Sequence, residues 1–164
     1  MNSVLLPNCP FCNSSDRVFA QSENFHALYN IAPILPGHSL IVPKWHVVSL
    51  LELSDQETCE MVIFSRECIR ILMKTFGVNG FNWTIQEGKE AGQTISHFHL
   101  HLIPRKVNDL PHPGEWYPIL QQQEERIIDS ESRQRLTPSE VRQIVSEIKR
   151  VATEMQLGGI QKKR

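Results

Sequence analysis

His97, His99 and His101 alternate with Phe98, Leu100 and Leu102 in the run Ser96-His97-Phe98-His99-Leu100-His101-Leu102-Ile103-Pro104, which gathers three of the chain's seven histidines. Period-two alternation predicts a half-buried strand with all three imidazoles on one face and the apolar partners in the core. Imidazole has an unperturbed pKa near neutrality. A row of three therefore offers a nucleophile, a proton donor and a metal ligand within a few ångströms. A solvated strand face has no need of histidine, so the pattern points to chemistry. A neutral His99 could attack phosphorus and carry a nucleotidyl group, splitting one substitution into two easier ones. Its neighbours His97, His101, Gln93 and Thr94 could hold phosphoryl oxygens and protonate the leaving group. Gly88 and Gly92, just upstream, would let backbone N–H groups approach a phosphate.

These residues need a sheet to hold them. Residues 23–30 and 38–43 read as two strands of a hairpin, separated by the Pro- and Gly-containing segment 31–37. Leu53-Ser54-Asp55-Gln56-Glu57 carries a capping-box start. The helix that follows places Met61, Phe64, Cys68 and Leu72 on one side and stops at Gly77. Residues 81–86 read as a third strand, and residues 87–92 as a loop feeding the histidines. From 106 to 136 no periodicity persists, and Pro111, Pro113, Gly114 and Pro118 break any regular element. A loop of this length is functional or disordered. Trp116 and Tyr117 within it could cap a base or simply anchor the loop. Thr137-Pro138-Ser139-Glu140 opens a second helix, 138–156, with Val141, Ile144, Val145, Ile148 and Val151 on one face and an end near Gly158-Gly159.

The 164 residues fit one domain, with a core at 9–106, the long loop and the C-terminal helix. The fold class expected is α+β, a mainly antiparallel sheet with a central and a C-terminal helix. A net charge of −1 without a basic stripe argues against binding long nucleic acid. Neither a signal peptide nor a membrane span is legible, so the expectation is a cytoplasmic protein. In that reducing setting the four cysteines read as thiols or metal ligands rather than disulfides.

The run His97 to Ile103 matches the His-φ-His-φ-His-φ-φ signature of the histidine triad nucleotide hydrolases and transferases, and the resemblance extends over most of residues 9 to 106. Residues 25–43, with Asn30, Pro36, Gly37 and His38, look like that family's nucleoside-binding hairpin. Residues 86–105 look like its phosphate loop and catalytic strand. By resemblance His99 is the nucleophile, His101 and Gln93 contact phosphate, Thr94 carries a hydroxyl near the leaving group, and Asn30 meets the ribose. His38 and Gln86 join the substrate-binding set, although His38 could equally brace the hairpin. The stretch Gln86 to Thr94 is closest to the fragile histidine triad branch, which implies hydrolysis of dinucleoside polyphosphates at the α-phosphate. Two alternatives stand beside it: a nucleoside phosphoramidate or other nucleotidyl-conjugate hydrolase, and a nucleotide-sensing or partner-binding protein. Cys9-Pro10-Phe11-Cys12 departs from that branch and resembles the cysteine pair of zinc-bearing members, with His46 and His97 completing a Cys2His2 set for structural Zn2+; unliganded thiols or a redox pair are the other readings. The resemblance also implies an adenine nucleotide conjugate as substrate, Mg2+ only as a counter-ion of that substrate, and a homodimer.

Overall fold

A computed structural model describes residues 5–119 and 135–161, the last five by backbone alone. Five strands form one antiparallel sheet: β1 (Val18–Gln21), β2 (Phe25–Tyr29), β3 (Ser39–Pro43), β4 (Gly80–Thr84) and β5 (Leu100–Arg105). They lie in the order β1-β2-β3-β5-β4. The two main helices are α1 (Asp55–Phe76) and α2 (Pro138–Gln161). The fold is α+β, as expected.

Alternation along the strands divides the apolar residues between two faces. Phe25, Ala27, Tyr29, Ile41, Leu100 and Leu102 pack with Met61, Cys68 and Leu72 of α1 and with Val141, Val145 and Ile148 of α2. On the opposite face Leu28, Leu40 and Val42 meet Cys9 and Phe11 of the N-terminal segment. His101 lies on this second face, because it pairs across the ladders with Leu40 of β3 and Thr84 of β4. One side of the sheet thus carries the helices and the other carries the histidines and the cysteine turn.

Both helix starts follow the local code. Ser54 and Glu57 form a reciprocal capping box on α1, and Gly77 closes that helix at φ 62° in the left-handed region. Thr137 and Glu140 cap α2 in the same way, with Thr137 accepting from the Glu140 N–H and Glu140 accepting from the Thr137 N–H. Three details differ from expectation. On α1, Ser65 and Ile69 are buried while Phe64 is half-buried, a rotation of the apolar face by about one residue. α2 runs through Gly158 and Gly159 to Gln161, because a glycine in a helix costs only about 1 kcal/mol and does not by itself end it. β1 has no strong alternation of its own and forms by pairing with β2.

Gly37 is required where it stands. Its φ is 90°, and a Cβ there would lie 2.8 Å from Pro104 Cγ and 2.9 Å from Phe76 Cδ2. The bare backbone lets the β2–β3 turn press against β5, and so delivers His38 to the histidine face.

Residues 106–119 fold back after β5. Arg105 makes a bidentate pair with Asp109 at 2.8 and 2.9 Å and reaches Asn82 Oδ1 at 2.6 Å, with Asn108 in the left-handed region at φ 62°. Trp116 and Tyr117 pack edge-on against each other. At the far end the Leu136 N–H donates to the Ile31 carbonyl at 3.0 Å. The middle of the expected long loop, 120–134, and the basic tail beyond 161 lie outside the described residues.

Candidate active site and metal cluster

The histidine row is more deeply placed than alternation implied. His97, His99 and His101 are 1%, 5% and 3% exposed, so this face is buried rather than half-solvated. β5 starts only at Leu100. Upstream, a tight turn (His97 N–H to Ile95 carbonyl, 2.7 Å) and the bond from Phe98 N–H to the Val47 carbonyl (2.7 Å) hold the chain where β3 no longer runs alongside it. The expected strand from 97 is therefore an extended lead-in, and its side chains keep the alternation.

Hydrogen bonds assign the tautomers. His99 Nδ1 is 2.8 Å from the His97 carbonyl oxygen, which can only accept, so Nδ1 carries the proton and Nε2 keeps its lone pair. His38 Nδ1 accepts the Ile34 N–H at 3.3 Å, and its Nε2–H then donates to His101 Nδ1 at 2.9 Å. His101 accordingly bears its proton on Nε2. The His99 and His101 rings are 4.9 Å apart at 68°. A lone pair thus stands beside an N–H donor. Burial holds the His99 pKa below its ordinary value, against an opposing pull from the His97 carbonyl, and so favours the neutral imidazole that a nucleophile requires. Phe11 lies edge-on to both His97 and His99, with centroids 5.7 and 5.1 Å away.

Other expected site residues divide into two groups. His38 is fully buried and joined to His101, so the hairpin brace and the site contact are one interaction. Asn30 accepts the Ala32 N–H at 3.0 Å and lies 3.5 Å from His38 Nδ1, which sets the turn holding that histidine. Gln86 is 6% exposed; its Nε2 donates to Thr84 Oγ1 at 3.0 Å, and its Oε1 is buried with no protein partner among the described residues. Gln93 bonds to its own loop and to the segment before α1. Its Oε1 accepts the Gly88 N–H at 2.9 Å, and its Nε2 donates to the Val48 and Ile95 carbonyls at 3.1 and 3.3 Å. Thr94 is half-buried on the same segment. Nor do the two glycines present their N–H groups as expected: Gly88 donates to Gln93 and Gly92 to the Lys89 carbonyl. Their positive φ values, 81° and 90°, explain why glycine occupies both positions. Phe11, between the two cysteines, and Glu87, in the loop, carry no sequence signal for their roles, because their partners His99, Ser49 and Leu50 lie far away in the chain.

Cys9, Cys12, His46 and His97 converge. One donor atom from each lies within 4.8 Å of all the others. Cys9 Sγ is 3.2 Å from His97 Nδ1, and Cys12 Sγ is 3.6 Å from His97 Nδ1 and 3.7 Å from His46 Nδ1. Ligands about 2.0–2.3 Å from a tetrahedral ion stand roughly 3.3–3.8 Å apart, so the set has nearly the span a metal requires. His97 Nε2 lies 3.3 Å from the Pro43 carbonyl oxygen, which places the proton on Nε2 and turns the Nδ1 lone pair towards the thiols. Burial, followed by the neighbouring His46, lowers the His97 pKa to about 4 and keeps that ring a neutral ligand. Two thiols and two imidazoles so placed could hold a metal ion.

Residues 12–108, more than half of the chain, match the HIT domain. The chain belongs to the HIT domain family. Within that family it is similar to a bis(5'-adenosyl)-triphosphatase from Dictyostelium discoideum, with 32% identity over 116 residues that cover 71% of this chain and 78% of the relative. A bis(5'-nucleosyl)-tetraphosphatase (asymmetrical) from Schizosaccharomyces pombe is 35% identical over 108 residues, covering 66% of this chain and 59% of that protein. The HIT fold is shared with a zinc-bound histidine triad family protein from Mycobacterium smegmatis at a TM-score of 0.69 and 22% identity, over 92% of this chain and 97% of the other.

Proposed function

We propose that this HIT protein hydrolyses dinucleoside polyphosphates at the α-phosphate through a nucleotidyl-His99 intermediate. The observation that carries this reading is the pairing of an unprotonated His99 Nε2 with an N–H on His101, fixed by the His97 carbonyl on one side and His38 on the other. The names of the relatives support the substrate class. His99 Nε2 attacks the α-phosphorus, an N–P bond forms, and the bond to the bridging oxygen of the leaving nucleotide breaks. The imidazolium that results keeps its Nδ1–H on the His97 carbonyl. His101 Nε2–H holds a non-bridging oxygen, and the Thr94 hydroxyl serves the leaving oxygen. Water then displaces the imidazole from phosphorus, restores the lone pair and releases a nucleoside monophosphate and a proton.

Gln93 shapes the loop and has one longer bond, to Ile95, to exchange for a phosphate oxygen. Asn30, His38 and Gln86 line the nucleoside side, and an adenine nucleotide conjugate is the substrate we favour. Mg2+ accompanies the polyphosphate as a counter-ion. Zn2+, when bound, would be held by Cys9, Cys12, His46 and His97 as a closed structural site, and no step of the reaction passes through it. Ligand thiols of this kind suit the reducing cytoplasm; finding Cys9 and Cys12 joined as a disulfide in protein from its native source would remove both assignments.

Incubation with diadenosine triphosphate, diadenosine tetraphosphate and adenosine phosphoramidate tests the reaction. AMP should be released preferentially from a dinucleotide. Faster turnover of the phosphoramidate would move the chain to the nucleotidyl-conjugate reading, and absence of all turnover would leave nucleotide sensing. We also propose a homodimer. The edge strand β4 exposes Phe81 (50%) and Trp83 (45%), an apolar pair on an open sheet edge. Light scattering should give about twice 18.9 kDa at assay concentration, and a monomer mass would count against pairing.

A further inference from the structure

Residues 46 to 50 touch the site at every position. His46 supplies a donor to the metal cluster. The Val47 carbonyl accepts the Phe98 N–H at 2.7 Å, one residue before the nucleophile. The Val48 carbonyl accepts Gln93 Nε2 at 3.1 Å. The Ser49 hydroxyl donates to Glu87 Oε1 at 2.6 Å, and the Leu50 N–H donates to Glu87 Oε2 at 2.7 Å. Glu52 stiffens the segment from within by accepting the Val48 and Ser49 N–H groups at 3.2 and 3.0 Å. The loop after β4 is therefore fastened at both ends to one brace, by Glu87 at its start and Gln93 at its finish.

We propose that Glu87 is a positioning residue for the reaction, its carboxylate locking the 87–93 loop to the Ser49–Leu50 backbone so that the loop meets the substrate's phosphates in one geometry. The proposal rests on the phosphoryl-transfer reading above. Both carboxylate oxygens are used, both bonds are short and charge-assisted, and such bonds fix position better than neutral ones. Gly88 follows Glu87 directly, and its N–H is the one that orients the Gln93 amide. A shift at Glu87 therefore passes through Gly88 to Gln93. Small displacements of groups that hold a reacting phosphate cost rate more than affinity.

Glu87→Ala should lower kcat on diadenosine triphosphate by about 10- to 100-fold, while KM changes by less than about threefold. Glu87→Gln, which keeps one acceptor oxygen, should fall between the two. Ser49→Ala should lower kcat by a smaller factor, and combining it with Glu87→Ala should add little, because the two changes remove the same link. Amide exchange supplies a readout independent of turnover: the Gly88 and Gln93 amides should exchange faster in Glu87→Ala, while amides of β2 and α1 stay as in the parent. If Glu87→Ala does not fold, Ser49→Ala and Glu87→Gln carry the comparison. A kcat for Glu87→Ala within twofold of the parent, unchanged Gly88 exchange, or simple additivity with Ser49→Ala would each overturn the proposal. An inactive parent would instead overturn the hydrolase reading, and the exchange result would still decide whether Glu87 fastens the loop.

Discussion

His99→Ala should lose about 10⁴-fold or more in kcat, equivalent to roughly 5.5 kcal/mol of transition-state stabilisation. Its lone pair is fixed by a backbone acceptor beside a matched N–H donor, and neither neighbouring imidazole can take over the attack: His97 Nδ1 faces the cysteines and His101 Nδ1 accepts from His38. His99→Asn makes the cleaner comparison. Its amide N–H can still reach the His97 carbonyl and preserve packing beneath Phe11, yet it offers no nucleophile. Both variants should bind a non-hydrolysable dinucleotide within a few-fold of the parent. Single-turnover experiments with the parent, quenched in base, should trap a phosphoramidate-linked nucleotide that is absent from both variants. Full turnover by His99→Ala would remove the covalent mechanism. Retained affinity together with a negligible parent rate would favour a nucleotide sensor.

Loss of the metal cluster should have the second-largest effect. Protein prepared without added metal should carry close to one equivalent of zinc, and less than about a tenth would eliminate the Cys2His2 site. Cys9→Ser should release the ion and lower Tm by roughly 10 °C, which for a chain of this size corresponds to about 3–4 kcal/mol. Chelation of the parent should reproduce that loss. Cys59→Ser is the control, because Cys59 is exposed on α1 and lies outside the Cys9, Cys12, His46 and His97 group. Turnover should fall in Cys9→Ser as well, since the Cys9–Cys12 turn holds Phe11 against His99 and His97, 3.2 Å from Cys9 Sγ, supplies the carbonyl that orients it. The fall should be smaller than that of His99→Ala, because the nucleophile remains.

Much of the molecule is local and therefore readable from the chain alone. The capping boxes at Ser54/Glu57 and Thr137/Glu140 and the left-handed stop at Gly77 each involve residues within one helical turn, where residue type decides geometry directly. Alternation at 97 to 101 survives even where the ladder does not, because an extended backbone sends successive side chains to opposite faces with or without a partner strand. The signature and its flanks resembled the HIT family, and likeness to its zinc-bearing members implied the set Cys9, Cys12, His46 and His97 that the fold brings together.

What the chain alone left open depends on residues far apart in sequence. The tautomer of His101 is set by His38, 63 residues earlier, and the loop that contains Gln93 is fastened to Val48, 45 residues earlier. Gln93 was expected on phosphate and is found bonded to three backbone groups of its surroundings. Glu87 stands in the 87–92 loop, and only the fold places its carboxylate on Ser49 and Leu50. Residue type and spacing determined which chemical groups this protein possesses and the family it belongs to; sheet register and the packing of the 46–50 segment decided which nitrogen holds each proton and which polar groups are already spent. A hydrogen bond needs its partners within a few tenths of an ångström, and only the assembled sheet sets distances that finely across such separations.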